Sequence, residues 1–367
     1  MNITFVTPSL ACGGAERCVT LLTQGLLSRG HDVSVVTLYG REQDFFTLPA
    51  AANRLALSID GDSPTVIHGL TNNLRRLRIL RQAIKSTTPD IVVSHIHRTN
   101  VMTIMALGRM RTPVVAVEHN DPVMNPAGVI WDTLRRRTYP RARKLVSVSE
   151  GVDQHFSWLP ESQRAVIHNP IALPPKHAAA DTEARPLWIA SMGRLTQQKG
   201  FDLLLNAFAQ VAANRPEWNL RIIGDGPLRL ELEELAATLK LSERVSLVGL
   251  VQDPTALLQD SELFVMASRF EGFPYAALEA LASGLPVIYT DCPSGPREII
   301  RNEVDGLLVP TGEIAAISAA MDRLMSNPSL RRSMAARAPE VLERFGVDRI
   351  ISRWEELFED IRAPVSA

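Results

Sequence analysis

Arg269–Leu285, RFEGFPYAALEALASGL, is the stretch on which the reading of the fold turns. It follows the apolar run Leu263-Phe-Val-Met266 and precedes Pro286-Val-Ile-Tyr289. Short apolar runs of this kind read as buried strands, so the unit is strand, loop, helix, strand, the βαβ repeat of a parallel sheet. Two carboxylates sit in it: Glu271 in the loop and Glu279 about one turn inside the helix. Pro274 suits a first helical position, and Gly272 leaves room for a ligand to approach the backbone. The loop lies at the carboxyl end of a parallel strand, where open α/β sheets bind ligands through free amides.

The same grammar extends to both sides. Asn2–Pro8 reads as a first strand, Ala11-Cys-Gly-Gly-Ala-Glu16 as a glycine loop opening a helix to about Ser28, and Val33–Leu38 as a second strand. Gly13 and Gly14 stand at the first βα turn, a usual place for phosphate. GGAE is neither the GxGxxG fingerprint nor a P-loop, and a simple helix-entry turn is the plain alternative. Residues 40–65 read as variable surface. Asp90–Ser94 and Pro113–Val117 read as buried strands ending in His95-Ile-His97 and Glu118-His119-Asn120, which makes His119 the candidate for chemistry. The His-x-His pair has no acidic or cysteine partner close in sequence, so no metal is expected there. Lys144–Ser149 is the last strand of this half, and Ser149 lacks the GxSxG setting of a nucleophile.

In the second half, Leu187–Met192 is a strand that runs into Gly193-Arg194 and then Lys199-Gly200. Arg194 and Lys199 flank one βα loop, where an arginine fork and a lysine point charge together suit a pyrophosphate. Strands are expected at Leu220–Gly224, Val245–Gly249 and Gly306–Pro310, with a last helix over Val347–Ile361. A chain of 367 residues exceeds what one core usually serves. The expected organisation is α/β throughout: a Rossmann-like domain over 1–167, a proline- and alanine-rich linker over 168–186, a second Rossmann-like domain over 187–345, and a C-terminal helix in 346–367 packing back on the first.

Lys plus Arg total 39 and Asp plus Glu 40, which argues against a nucleic-acid binder. The balance hides an asymmetry, with 19 basic and 13 acidic residues up to position 167. Much of the excess lies in Asn72–Lys85, a helical pattern with Leu74, Leu77, Leu80 and Ile84 on one stripe and Arg75, Arg78, Arg81 and Lys85 beside it. Such a helix suits an anionic membrane surface or a phosphate-bearing acceptor, a solvated charged face being the alternative. A second basic cluster follows at Arg135, Arg136, Arg137, Arg141, Arg143 and Lys144. No segment approaches the ~20 apolar residues of a membrane span, and the N-terminus reads as a strand rather than a signal. Cys12, Cys18 and Cys292 form an odd set without metal spacing, as in a reducing compartment. A cytoplasmic protein is expected, with any membrane contact peripheral, on the inner face of the cytoplasmic membrane.

Taken together, Glu271 and Glu279 in EGFPYAALE, GGAE, GRLTQQKG, IGDGP, SGLPVI and GPREII resemble the family-4 retaining glycosyltransferases, which have two facing Rossmann-like domains with a cleft between them, the GT-B fold. The likeness spans nearly the whole chain, and its most specific part is the E-x7-E pair. Among bacterial members it points toward enzymes of lipopolysaccharide, O-antigen and lipid-linked oligosaccharide assembly. The resemblance implies that Glu279 binds the ribose of a nucleotide sugar and Glu271 the transferred sugar. It implies that the amides of Gly272 and Phe273 face sugar and phosphates, that Arg194 and Lys199 neutralise the pyrophosphate, and that Gly249 lies near the base. Gly13 and Gly14 would close over the donor phosphates, and His119 would stand beside the sugar. Ser294-Gly295 departs from the two glycines of many members. The implied activity is transfer of a hexose or N-acetylhexosamine from a UDP-sugar to a glycan or lipid-linked acceptor with retention. No metal cofactor is expected, since the closest DxD match, Asp60-Gly-Asp62, lies far in sequence from the donor loops. A nucleotide-sugar epimerase on the same fold would act without an acceptor, and a non-catalytic nucleotide-sugar sensor would carry a damaged donor site.

Overall fold

The structure is a computed structural model and describes residues 1–59, 66–108, 110–175 and 187–363. It divides into two units, Met1–Pro170 with Val347–Ala367, and Ile171–Gly346. The expected linker is thus split: the first unit runs to Pro170, Ile171 already bridges to Gly346 of the second, and 176–186 lie outside the described residues.

The first unit holds a seven-stranded parallel sheet of β1 (Asn2–Thr7), β2 (Asp32–Thr37), β3 (Asn53–Ala56), β4 (Ile91–His95), β5 (Val114–Glu118), β6 (Lys144–Ser147) and β7 (Arg164–Val166), in the order β3-β2-β1-β4-β5-β6-β7. Its helices are α1 (Gly14–Ser28), α2 (Val66–Ser86), α3 (His97–Leu107), α4 (Val129–Thr138) and the single turn α5 (Glu150–Gln154). β3 falls in the region read from sequence as variable surface. Edge strands β3 and β7 are only part-buried and carry no apolar run, so the periodicity that reveals the central strands is missing from them.

The second unit holds a six-stranded sheet, β10-β9-β8-β11-β12-β13, made of β8 (Leu187–Met192), β9 (Trp218–Ile223), β10 (Val245–Gly249), β11 (Leu263–Met266), β12 (Val287–Thr290) and β13 (Gly306–Val309). The helices between and after these strands are α6 (Phe201–Ala212), α7 (Arg229–Thr238), α8 (Thr255–Gln259), α9 (Tyr275–Ala282), α10 (Pro296–Ile299), α11 (Ile314–Met325), α12 (Pro328–Arg337) and α13 (Val341–Phe345). β11 and α9 are the strand and helix of the opening stretch. Every residue of α9 is buried except Glu279, so the helix is apolar all round and its one carboxylate marks the side left toward solvent.

The last helix, α14 (Val347–Arg362), belongs with the first unit. Its apolar face buries Ile350, Ile351, Trp354 and Phe358, and a β-carbon at Gly25 of α1 would meet Ile351 Cγ1 at 2.6 Å, so glycine permits the close helix packing. Glu355 takes Arg29 at 2.9 Å and His31 at 3.0 Å, and Asp360 takes Lys144 at 2.8 Å.

In both sheets the strand order reverses once, at β1/β4 and at β8/β11. A doubly wound sheet opens a crevice beyond the carboxyl ends of the strands at that point. The loops following those strands are therefore the places to look for a site.

Candidate functional site

In the second unit, the loop after β8 and the loop after β11 meet at the switch point. Gly200 makes the approach feasible: its φ is +65°, and a β-carbon there would lie 1.9 Å from Ala267 O. Backbone and side chains stitch the loops together. Arg269 N donates to Gln198 O at 2.7 Å, Gln198 Nε2 donates to Phe270 O at 3.1 Å, and the Arg269 guanidinium forks onto Asp202 at 2.9 and 2.7 Å.

This brings Lys199 onto Glu271. Lys199 Nζ donates to Oε1 at 2.7 Å and to Oε2 at 2.9 Å. Oε1 also accepts from Ser268 Oγ at 2.7 Å and from Tyr289 OH at 2.8 Å, whereas Oε2 receives only the lysine among the hydrogen bonds found. The carboxylate is buried and its partners are aligned, as a buried charge requires. Tyr289 is fully buried, and burial first, then the charge of Glu271, holds its hydroxyl far above the usual phenol range, so it remains a neutral donor. Burial, reinforced by Glu271, likewise raises the Cys292 thiol and keeps it protonated.

Around this pair the other expected donor residues take distinct positions. Arg194 is exposed, and its side chain has no ion pair among the described residues. Gly193, Gly224 and Gly249 end β8, β9 and β10 with φ of +159°, +136° and +87°; Gly224 N donates to Gly249 O at 2.8 Å, and a β-carbon on Gly224 would lie 2.1 Å from Gly193 O. Glycine at these strand ends lets neighbouring groups approach closely, Met266 and Lys199 against Gly193 and the Gly193 backbone against Gly224. Gly272 and Phe273 are buried, Phe273 with its ring edge-on to Phe345 at 5.4 Å. Gly295, φ +87°, lies against both, with its β-carbon position 2.7 Å from Gly272 O. Ser268, Arg269 and Tyr289 were not singled out from sequence. For Ser268 and Arg269 the available signal was their proximity to Glu271 in the chain, and for Tyr289 its hydroxyl on a short buried strand.

In the first unit, Gly13 caps α1 in extended conformation without a side-chain cap, and Gly14, the first helical residue, is exposed. His95 ends β4 and His119 follows β5, and the neighbouring strands bring His95 Nδ1 within 2.8 Å of His119 Nε2. Both rings are buried, and burial drives His119 down to about 3 and His95 well below the usual range, so both stay neutral near pH 7. Ile96, with φ of 72°, turns the chain between His95 and α3, an uncommon conformation for a β-branched residue. Beneath His119, Tyr139 donates to Glu118, whose carboxyl is pushed up to about 7 by burial. Asn100 Nδ2 donates to Tyr139 OH at 3.1 Å. Ser149 Oγ accepts from Val152 N at 3.2 Å and caps α5, a structural role.

The basic helix divides. Arg75, Arg78 and Lys85 are exposed, but Arg81 donates to the carbonyls of Ala106 and Leu107 at 2.9 and 3.0 Å and caps the end of α3. Leu80 and Ile84 are buried, while Leu74, expected on the same apolar stripe, is 52% exposed because the packed face stops one turn short of it. Among the described residues no three His, Cys, Asp or Glu side chains gather as metal ligands; Asp60 and Asp62 lie outside the described residues.

Two Rossmann-like units with anion-suited loops at their switch points define a protein of the GT-B architecture. The sucrose-phosphate synthase of Thermosynechococcus elongatus superposes with a TM-score of 0.85 at 18% identity, over 99% of this chain and 100% of that one. HepE of Anabaena, solved with UDP and glucose, superposes with a TM-score of 0.81 at 18% identity, over 98% and 99%. The family described as Glycosyltransferase Family 4 matches residues 12–173, and that described as Glycosyl transferases group 1 matches 176–341. The chain belongs to these glycosyltransferases and is a transferase. Similar in sequence is a Campylobacter jejuni enzyme named as an α-1,4-N-acetyl-D-galactosaminyltransferase acting on a diphospho-undecaprenol-linked glycan, 25% identical over 99% of both chains. An uncharacterized glycosyltransferase of Haemophilus influenzae is 25% identical over 94% of this chain and 96% of its own.

Proposed function

We propose that this transferase moves a hexose or N-acetylhexosamine from a UDP-sugar to a glycan or lipid-linked acceptor in cell-surface polysaccharide assembly, with retention and without a metal. The observation that carries the proposal is the Lys199–Glu271 pair at the β8/β11 switch point, with Arg194 exposed on the same loop as Lys199. A nucleotide sugar breaks at its anomeric carbon and sheds a diphosphate, so the main requirement is to stabilise charge on the leaving group. Arg194 and Lys199 supply it, in place of a divalent ion, together with the amides of Gly272 and Phe273.

Glu271 Oε1 is occupied by Ser268 and Tyr289, so when Lys199 turns to phosphate, Oε2 is freed to accept a sugar hydroxyl. Glu279, the one solvent-side residue of α9, binds the ribose, and Gly249, with φ of +87°, lies near the base. His119, neutral through burial, offers hydrogen bonds to the sugar rather than acting as a general acid. Arg75, Arg78 and Lys85 of the first unit meet an anionic acceptor or the membrane carrying it. The diphospho-lipid substrate in the name of the Campylobacter relative, and the UDP held by HepE, support acceptor and donor of these classes.

The test is a nucleotide-sugar panel scored by melting shift, followed by transfer assays with excess chelator. UDP-sugars are expected to raise Tm most, and transfer is expected to persist in chelator. Loss of activity restored by Mg²⁺ or Mn²⁺ refutes the metal-free reading, and turnover of the nucleotide sugar without acceptor favours an epimerase.

A further inference from the structure

The excess of positive over negative charge in the helices of the first unit lies on one side of its sheet. α2, α3 and α4 make the connections β3 to β4, β4 to β5 and β5 to β6, all in one direction along the sheet, so right-handed crossovers put them on one face, where α2 packs on α3 and α3 on α4. α1 runs the opposite way, and it packs with α14 on the other face. The α2–α3–α4 layer contains nine Arg and Lys against a single Asp, and that acid, Asp132, is already paired with Arg135 at 2.7 Å; the short α5, connecting β6 to β7 in the same direction, adds Glu150 and Asp153, the latter paired with Arg164. α1 and α14 together carry four basic and six acidic residues. A field this lopsided implies an anionic partner on the first face.

The same face also displays apolar surface at one end. In the segment from β5 into α4, Val123 is 66% exposed, Val129 84% and Ile130 74%, with Met124 beside them. The segment is held in place: Asp121 accepts from Val123 N at 2.8 Å and Met124 N at 3.2 Å, and its other oxygen takes His155 at 3.1 Å. The exposed side of α4 runs from Val129 and Ile130 through Thr133 to Arg136 and Arg137, apolar at its start and basic at its end. Aliphatic tips beside arginines are the pattern of a surface that sinks a few side chains into acyl chains and lays its cations on headgroups. The chain as a whole carries no basic excess, with 39 Lys and Arg against 40 Asp and Glu, which argues against nucleic acid, and a second copy would set one dense positive face against another.

We propose that the α2–α3–α4 face is a membrane-docking surface, in which Val123, Met124, Val129 and Ile130 insert into a bilayer and Arg136 and Arg137, with the exposed bases of α2, contact anionic phospholipid headgroups. This deepens the reading of a lipid-linked acceptor by naming the surface that brings the enzyme to it. The test is vesicle flotation of the full chain, with neither donor nor acceptor present, so its outcome is independent of whether glycosyl transfer is correctly assigned. Vesicles of phosphatidylcholine with phosphatidylglycerol are compared with phosphatidylcholine alone, for the wild type, Val129→Asp/Ile130→Asp, Arg136→Glu/Arg137→Glu, and a control Leu230→Asp at an exposed position of the other unit.

The wild type is expected to float only with the anionic vesicles. Replacing the two arginines by glutamates should weaken binding at least roughly 25-fold at low salt, about fivefold for each cation lost before the repulsion of the new carboxylates, and flatten its salt dependence. Val129→Asp/Ile130→Asp should weaken it tenfold or more at high salt as well, with Leu230→Asp unchanged and all Tm values alike. The proposal is overturned if the wild type does not bind, or if both α4 variants bind like the control. It is equally overturned if a further variant, Arg75→Glu/Arg78→Glu, abolishes binding while both α4 variants bind like the wild type, or if sedimentation shows the α4 residues to hold a dimer and vesicle binding is unaffected.

Discussion

Breaking the pair between Lys199 and Glu271 should expose how much of the donor site is held together before any ligand arrives. The lysine side chain is 18% exposed and the glutamate 6%, with the ammonium within 2.9 Å of both oxygens. Lys199→Met keeps the stem and removes the charge, leaving the buried carboxylate to Ser268 and Tyr289. Removing one member of a buried pair costs ~3–5 kcal/mol, and the two surviving hydroxyl donors and the partial exposure of the lysine bring this case to about 2–3 kcal/mol. Glu271→Gln also costs about 2 kcal/mol, because a carboxamide turns its own N–H toward groups that donate. The double variant carries no unpaired charge, and its loss should match one single variant rather than the sum, a coupling of about 2 kcal/mol. Urea denaturation read through Trp188 and Trp218 of the second unit measures all three. A coupling below about 0.5 kcal/mol refutes the ion pair as an energetic unit. Saturating UDP should shrink the coupling, since the diphosphate competes for Lys199. In binding assays Lys199→Met should lose the bare nucleotide, whereas Glu271→Gln should keep UDP and lose the preference for the UDP-sugar; identical signatures would sink the division of roles.

Arg194→Ala should leave Tm unchanged while weakening UDP tenfold or more, because the exposed side chain makes no ion pair among the described residues; Glu279→Ala should weaken nucleosides lacking phosphate as well, a difference titration calorimetry reads. Gly295→Ala should cost about 2 kcal/mol or more, since φ is +87° and the added methyl meets backbone of residues 272 and 273 within 2.9 Å; an unchanged Tm contradicts the geometry. Glu118 is raised to about 7 against 4.5 unfolded, so its contribution to stability is full below pH 4.5 and is lost as pH rises to 7, on the order of 3 kcal/mol. His119, lowered to about 3 against 6.5, contributes above pH 6.5 and loses that contribution as pH falls toward 3. Glu118→Gln should therefore stabilise the first unit at pH 8 and change little at pH 4, and an equal effect at both pH values rejects the buried-acid assignment.

How far the sequence reaches can be argued from β11. The run Leu263–Met266 announces a central strand because both faces are buried, and Gly272 and Pro274 after it announce a ligand loop leading into a helix. What no local pattern contains is that β11 pairs with β8 rather than with β10, which precedes it in the chain. That pairing alone explains why Lys199 and Glu271, assigned separately to phosphate and to sugar, lie on one another. It also explains Arg269, an ordinary surface residue by composition, which becomes the clamp on Asp202 once the two loops are adjacent. Edge strands β3 and β7 escaped for the converse reason, since a half-buried strand needs no apolar run. The basic helix shows a further limit: periodicity grouped Arg75, Arg78, Arg81 and Lys85 as equals, yet α3 ends beside Arg81 and takes it as a cap, a contact set by helix packing and invisible in spacing. In each case the residue type was legible and its partner was not, because the partner arrives through strand order and helix packing. The Lys199–Glu271 pair is therefore the sharpest place to test the fold and the function together: a change at either residue reports on the β8/β11 junction through stability and on the donor through binding.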